Sequence, residues 1–153
     1  MKFQVSNFSI LGNLIAHINS LQAEGKSPLV TVSEKTEDRS GAQNRLMHMW
    51  FKDIAKSTGS DVVEEAGRCK FVYFLPVLGM SENDESRFAA DLLRMIWRER
   101  GYEYLVQALG RSMIESTRLL TTKEFEQALT SMQVGERAHK LTDPTIYGMR
   151  WVQ

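Results

Sequence analysis

Ser40 with Gln43, Asp61 with Glu64, and Thr121 with Glu124 each set a helix-capping residue three positions ahead of a glutamate or glutamine where a helical pattern begins. In such a box the first side chain accepts from a backbone N–H of the opening turn. The second reaches back to the N–H of the cap. Apolar residues at helical spacing follow the first and third boxes: Met47, Trp50, Phe51 and Ile54, and then Phe125, Ala128, Leu129 and Met132. The pattern predicts a helix from Ser40 to about Ser57, one from Val62 to about Tyr73, and one after Thr121. Pro76 cannot lie inside a regular helix, so the second is predicted to end near it.

Two further helices follow from the same spacing. Asn7 precedes Leu11, Leu14, Ile15, Ile18 and Leu21, and Gly25 closes that run. Ser81 to Asp84 opens a helix lined by Phe88, Leu92, Leu93, Ile96 and Trp97 and closed by Gly101. Between these lie strand-like pieces. Lys2 to Ser6 alternates polar and apolar, Leu29 to Ser33 is β-branched, and Met113 to Leu120 reads as extended. Tyr102 to Leu109 fits a short helix or a strand, and Val72 to Phe74 fits the end of a helix or a strand. The tail after Leu141, with Asp143-Pro144, reads as a loop or an extended arm. The predicted fold class is α+β: a few short strands packed against four to five helices. No repeat or linker is visible, so residues 1–153 are expected to form a single domain.

Nineteen Lys and Arg balance nineteen Asp and Glu. Sequence-independent affinity for nucleic acid grows with the number of phosphates neutralised, so any such role needs a locally basic face. No apolar run is long enough to span a bilayer, and Met1-Lys2-Phe3-Gln4 lacks the layout of a secretory signal. A single cysteine, Cys69, excludes an internal disulfide framework. Together these predict a cytoplasmic location.

Most enzyme chemistries lack their residues here. There is no phosphate-binding glycine loop, no dinucleotide fingerprint and no Cys/His cluster for zinc, so neither a metal nor another cofactor is expected. Cys69 on an apolar helix reads as inert. Asp53, Glu64, Glu65, Asp84, Glu85 and Asp91 fit helix caps or solvated faces. A structure-selective, metal-dependent nuclease would need two or three of them converging, with Asp53 the first candidate.

Two features suit DNA. In Arg39-Ser40-Gly41-Ala42-Gln43-Asn44-Arg45 a helix start coincides with arginines and amides able to meet phosphates and base edges. His48 or Trp50, farther along, could stack on a base. The other is the helix with Arg87, Arg94 and Arg98 at spacings of seven and four. Asp91 lies among them, and ion pairs within the helix account for the pattern equally well.

The first of these stretches, with Trp50 and Asp53-Ile54 beyond it, resembles the NinB family, the Orf-type recombination proteins of lambdoid phages and prophages. Three later pieces are similar in order and spacing. They are Arg68-Cys69-Lys70-Phe71 leading to Leu75-Pro76-Val77-Leu78, then Ser116-Thr117-Arg118-Leu119-Leu120-Thr121 leading to Glu124-Phe125, and finally Leu141-Thr142-Asp143-Pro144. The family's aromatic position falls at His48, two residues before Trp50, so either is the stacking candidate. The resemblance implies a non-enzymatic, homodimeric mediator that binds single-stranded and branched DNA and contacts the host single-strand-binding protein. It would help load a RecA-type or annealing recombinase onto coated strands. The expected DNA-binding residues are Arg39, Gln43, Asn44, Arg45, His48 and Trp50, with Lys70 and Arg118 adding phosphate contacts. A variant within DNA binding inserts an aromatic side chain into duplex and extrudes a base.

Overall fold

A computed structural model describes residues 5, 7–30, 41–113 and 116–149. The chain divides into two units, Met1–Lys35 and Thr36–Gln153. Among its described residues the first carries one helix, α1 (Phe8–Ala23). Asn7 caps it by accepting from the backbone N–H of Ile10 at 3.0 Å. None of the residues of α1 is buried.

The described residues of the second unit form helices joined by turns and irregular links. Its helices are α2 (Gly41–Thr58), α3 (Val62–Cys69), α4 (Leu75–Met80), α5 (Asp84–Arg100), α6 (Tyr102–Gly110) and α7 (Thr122–Gly135). A π-helical turn, Lys70–Phe74, joins α3 to α4, and a 3-10 turn covers Pro144–Tyr147. The helix starts are local chemistry. Asp61 accepts from the N–H groups of Val63 and Glu64, Asn83 accepts from that of Glu85, and Thr121 and Glu124 form both halves of a capping box.

Among the described residues there is no strand, so the fold is all-α rather than α+β. Leu29 and Val30 are irregular and exposed. Lys2 to Gln4, Ser6 and Thr31 to Ser33 lie outside the described residues. Residues 116–120 make turns instead of a ladder. Leu120 donates to the Thr117 carbonyl and the Ser86 hydroxyl donates to the Leu119 carbonyl at 3.2 Å, so backbone groups there are met locally and by a side chain of α5. Tyr102 to Leu109 is helical, within α6, and Val72 to Phe74 lies in the π turn. β-Branched and aromatic residues favour strands only weakly, and packing overrides that preference.

Pro76 does not end the helical run as predicted. In the π turn the Leu75 N–H bonds the Lys70 carbonyl five residues back, and Pro76 then falls in the first turn of α4, where its fixed φ suits the helix. The core gathers Leu46, Trp50, Phe51 and Ile54 of α2, Phe74, Leu78 of α4, Leu93 of α5, Leu109 of α6, and Phe125 and Leu129 of α7. Phe74 and Phe125 meet with centroids 5.2 Å apart. Each large side chain so buried contributes about 1.5–3 kcal/mol.

The tail is tied to α2. The Trp50 indole N–H donates to the Thr142 carbonyl at 2.8 Å, while the N–H and hydroxyl of Thr142 both donate to one Asp53 oxygen at 2.7 Å. An Asp53→Ala variant is expected to lose about 2 kcal/mol, because hydrogen bonds to a charged group exceed neutral ones. Hydrogen exchange at the Thr142 amide checks it. Exchange as slow as in the parent protein would contradict the anchoring.

Candidate nucleic-acid interface

Helix α2 divides cleanly into two faces. Met47, Trp50 and Ile54 point inward. On the other side Arg45, His48, Lys52 and Lys56 recur at spacings of three and four, and all four are exposed. They span about 16 Å at the helical rise per residue. Asp53 is the one carboxylate between Gly41 and Thr58, and its Oδ2 is engaged by Thr142. The Arg45 guanidinium lies 5.8 Å over the Tyr147 ring, and the His48 ring meets Phe51 edge-on at 5.8 Å.

The far end of this face opens on a depression of about 680 Å³ lined by Lys56, Ser57, Lys140, Thr142 and Asp143, among others. Lys140 adds a cation there. Asp143 adds a carboxylate held below its usual range by the Thr145 N–H and hydroxyl. Asp53 lines the depression as well, so the balance along the α2 face is positive with Asp53 and Asp143 at its edge.

Of the residues expected from sequence, Arg45 and His48 stand on this face and Asn44 is half-buried beside it. Arg39 lies outside the described residues. Gln43 is buried because it shares the stripe of Met47 and Trp50, and its amide donates to the Thr122 carbonyl at 3.3 Å, joining the starts of α2 and α7. Trp50 is fully buried, which leaves no ring face for a base. Lys70 is also buried. Its ammonium donates to the Leu109 carbonyl at 2.9 Å and to the Ser112 hydroxyl at 3.3 Å, closing the end of α6 instead of meeting phosphate. Arg118 is exposed in the turn before α7. Lys52, Lys56 and Lys140 were not among the expected residues. The first two continue the Arg45–His48 spacing and were readable from it.

Two of the three arginines of the α5 stripe are engaged nearby. Arg87 pairs with Asp84 and donates to the Ser81 carbonyl, and Arg94 pairs with Asp91 at 3.3 Å.

Behind the surface lies a polar network. Arg68 bridges two buried carboxylates, Glu65 at 2.7 Å and Glu136 at 2.8 Å. The Tyr73 hydroxyl donates to Glu136 at 2.8 Å, and the Ser60 hydroxyl to Glu65 at 2.6 Å. Burial alone would raise the Glu65 carboxyl, but the Ser60 and Arg68 hydrogen bonds and the Arg68 charge outweigh it and hold Glu65 below the usual range. Burial, aided by Glu136, pushes the Tyr73 phenol up to about 12. Burial likewise pushes the Cys69 thiol up to about 12, against the partial opposition of Arg68, which fits an inert core thiol. No group of three or more His, Cys, Asp or Glu able to hold a metal occurs among the described residues, and none of their helices is long and apolar enough to cross a membrane. No family model, curated protein or solved structure matches the chain, so the reading of the α2 face stands on its own residues.

Proposed function

We propose that this chain is a DNA-binding accessory protein of homologous recombination of the NinB type. It grips single-stranded or branched DNA by its sugar–phosphate backbone and assists the loading of a RecA-type or annealing protein onto strands coated by single-strand-binding protein. The observation that carries the DNA-binding part is the outer face of α2, where Arg45, His48, Lys52 and Lys56 line up and the one carboxylate of that helix, Asp53, is half-buried at their flank and bound by Thr142. Phosphates along a strand are met by such a row without regard to sequence. Asn44 and Arg45 keep their place in the proposed contact, and His48 takes the aromatic position that the buried Trp50 cannot. The stretches that resemble the NinB family are what suggest the recombination context, the homodimer and the host partner as parts of the same proposal.

Charge reversal tests it. Arg45→Glu, Lys52→Glu and Lys56→Glu combined are expected to weaken binding of a single-stranded oligonucleotide by about 100-fold at low salt. The slope of log affinity against log salt should fall by about 2, at about 0.7 for each phosphate no longer neutralised. Fluorescence anisotropy across a salt series measures both. An affinity and slope equal to the parent protein's would remove α2 from the interface.

A further inference from the structure

The corner where α5 meets α6 carries a second surface of a different chemistry. Three of the seven Trp and Tyr residues of the chain fall between residues 97 and 104, and all three remain partly open to water: Trp97 at 44%, Tyr102 at 42% and Tyr104 at 47%. Single exposed aromatics are ordinary, but Trp97 and Tyr102 are drawn together by a shared contact with Phe71, while Tyr104 projects from nearly the opposite side of α6. Phe71 of the π turn supports two from behind. Trp97 meets it edge-on at 5.1 Å and 78°, and Tyr102 at 5.2 Å and 84°. Both rings are thus fixed from one side while part of each stays accessible, so a flat partner could stack with little side-chain entropy left to lose.

The charges nearby favour an anionic partner. Arg100 stands one turn from Trp97 on α5, and its guanidinium lies 5.6 Å over the Tyr104 ring. Arg98 is exposed next to Trp97. Glu99 projects from nearly the opposite side of α5, since two residues turn a helix by about 200°. Glu103, exposed at the start of α6, is the carboxylate closest in sequence to the two tyrosines and limits the positive balance. Aromatic rings interleaved with arginine are what unpaired bases on a phosphate chain require: each base has a π-face to stack, and each phosphate takes a cation.

We propose that Trp97 and Tyr102, backed by Phe71 and flanked by Arg98 and Arg100, form a stacking platform for unpaired bases, separate from the phosphate-gripping face of α2. This rests on the reading of the protein as a single-strand binder and adds a means of telling unpaired bases from phosphate alone.

The test compares a thymine 15-mer with an abasic 15-mer of the same backbone. The parent protein is expected to bind the thymine strand about 10-fold or more tightly than the abasic strand. Trp97→Leu with Tyr102→Leu should abolish that preference and leave abasic binding unchanged. The α2 charge reversal should weaken both strands alike and keep the preference. Equal binding of the two strands by the parent protein overturns the platform while sparing α2, and binding of neither strand overturns both readings. Should the leucine variants fail to fold, photocrosslinking of the parent protein to a 5-iodouracil strand decides. Adducts on Trp97 or Tyr102 support the platform, and adducts confined to other residues overturn it.

Discussion

An Arg68→Met variant is expected to lose about 3–5 kcal/mol of stability near neutral pH, the range for a buried ion network deprived of one sign of charge. Arg68 is the cation shared by Glu65 and Glu136, whose side chains are only 8% and 6% exposed. Methionine can fill much of the space but leaves two carboxylates in a poorly solvated region. The pH dependence identifies the cause. The carboxyl of Glu65 sits below its usual range in the folded protein, so its contribution is complete above the unfolded value of about 4.3 and is lost as pH falls through the lower folded value. Removing Arg68 leaves burial less opposed, so Glu65 takes up its proton at higher pH in the variant and the deficit shrinks in acid. Urea unfolding at pH 7 and pH 3.5 measures both. A deficit of the same size at the two pH values would assign the loss to packing.

Gly67→Ala is expected to cost about 3 kcal/mol or more, the upper end for overpacking a rigid site. A Cβ at Gly67 would stand 1.9 Å from the Val106 carbonyl oxygen, and one at Gly110 would stand 2.0 Å from that of Val63. The two contacts are reciprocal. Residues 63 and 67 of α3 oppose residues 110 and 106 of α6, so the helices run antiparallel and touch backbone to backbone at both glycines. No side-chain rotation relieves a clash with a carbonyl, and the helices would have to part. Thermal unfolding should show a drop of about 10 °C, on the usual conversion for a domain of this size. Gly110→Ala should behave alike, and Gly12→Ala, where a Cβ meets nothing within 4 Å, should not destabilise. An unchanged melting temperature in Gly67→Ala would mean that α3 and α6 stand farther apart.

What was legible in the sequence was mostly local. Asn7, Asp61 and Thr121 announced helix starts because a cap acts within one turn. The inward stripe of α2 followed from spacing, and the same arithmetic puts Gln43 on that stripe and Lys52 and Lys56 with Arg45. The misreadings concern contacts distant along the chain. Lys70 reads as a surface cation until the end of α6 brings the Leu109 carbonyl to it, 39 residues away. Glu65 reads as a cap or solvated-face residue until burial sets it beside Arg68, which Glu136 joins from the end of α7. Met113 to Leu120 has the composition of a strand, yet its described residues are met by turns and by Ser86, and no neighbouring strand is described for it to pair with. A strand needs a partner, and composition does not supply one.

The wide turn at Lys70–Phe74 works as a phase shift. A straight α-helix advances about 100° per residue, so the one extra residue held in the turn rotates everything after it by that angle relative to α3. Phe74, Leu75 and Leu78 meet the core only because of this offset, while Cys69 and Ala66 meet it before the offset. An ordinary ladder over the same residues would swing the α4 apolar side out toward water, together with the Phe74 ring that Phe125 packs against. Losing a single residue there would restore that ladder and keep α4 in phase, so the segment bears a one-residue deletion better than a straightening at fixed length.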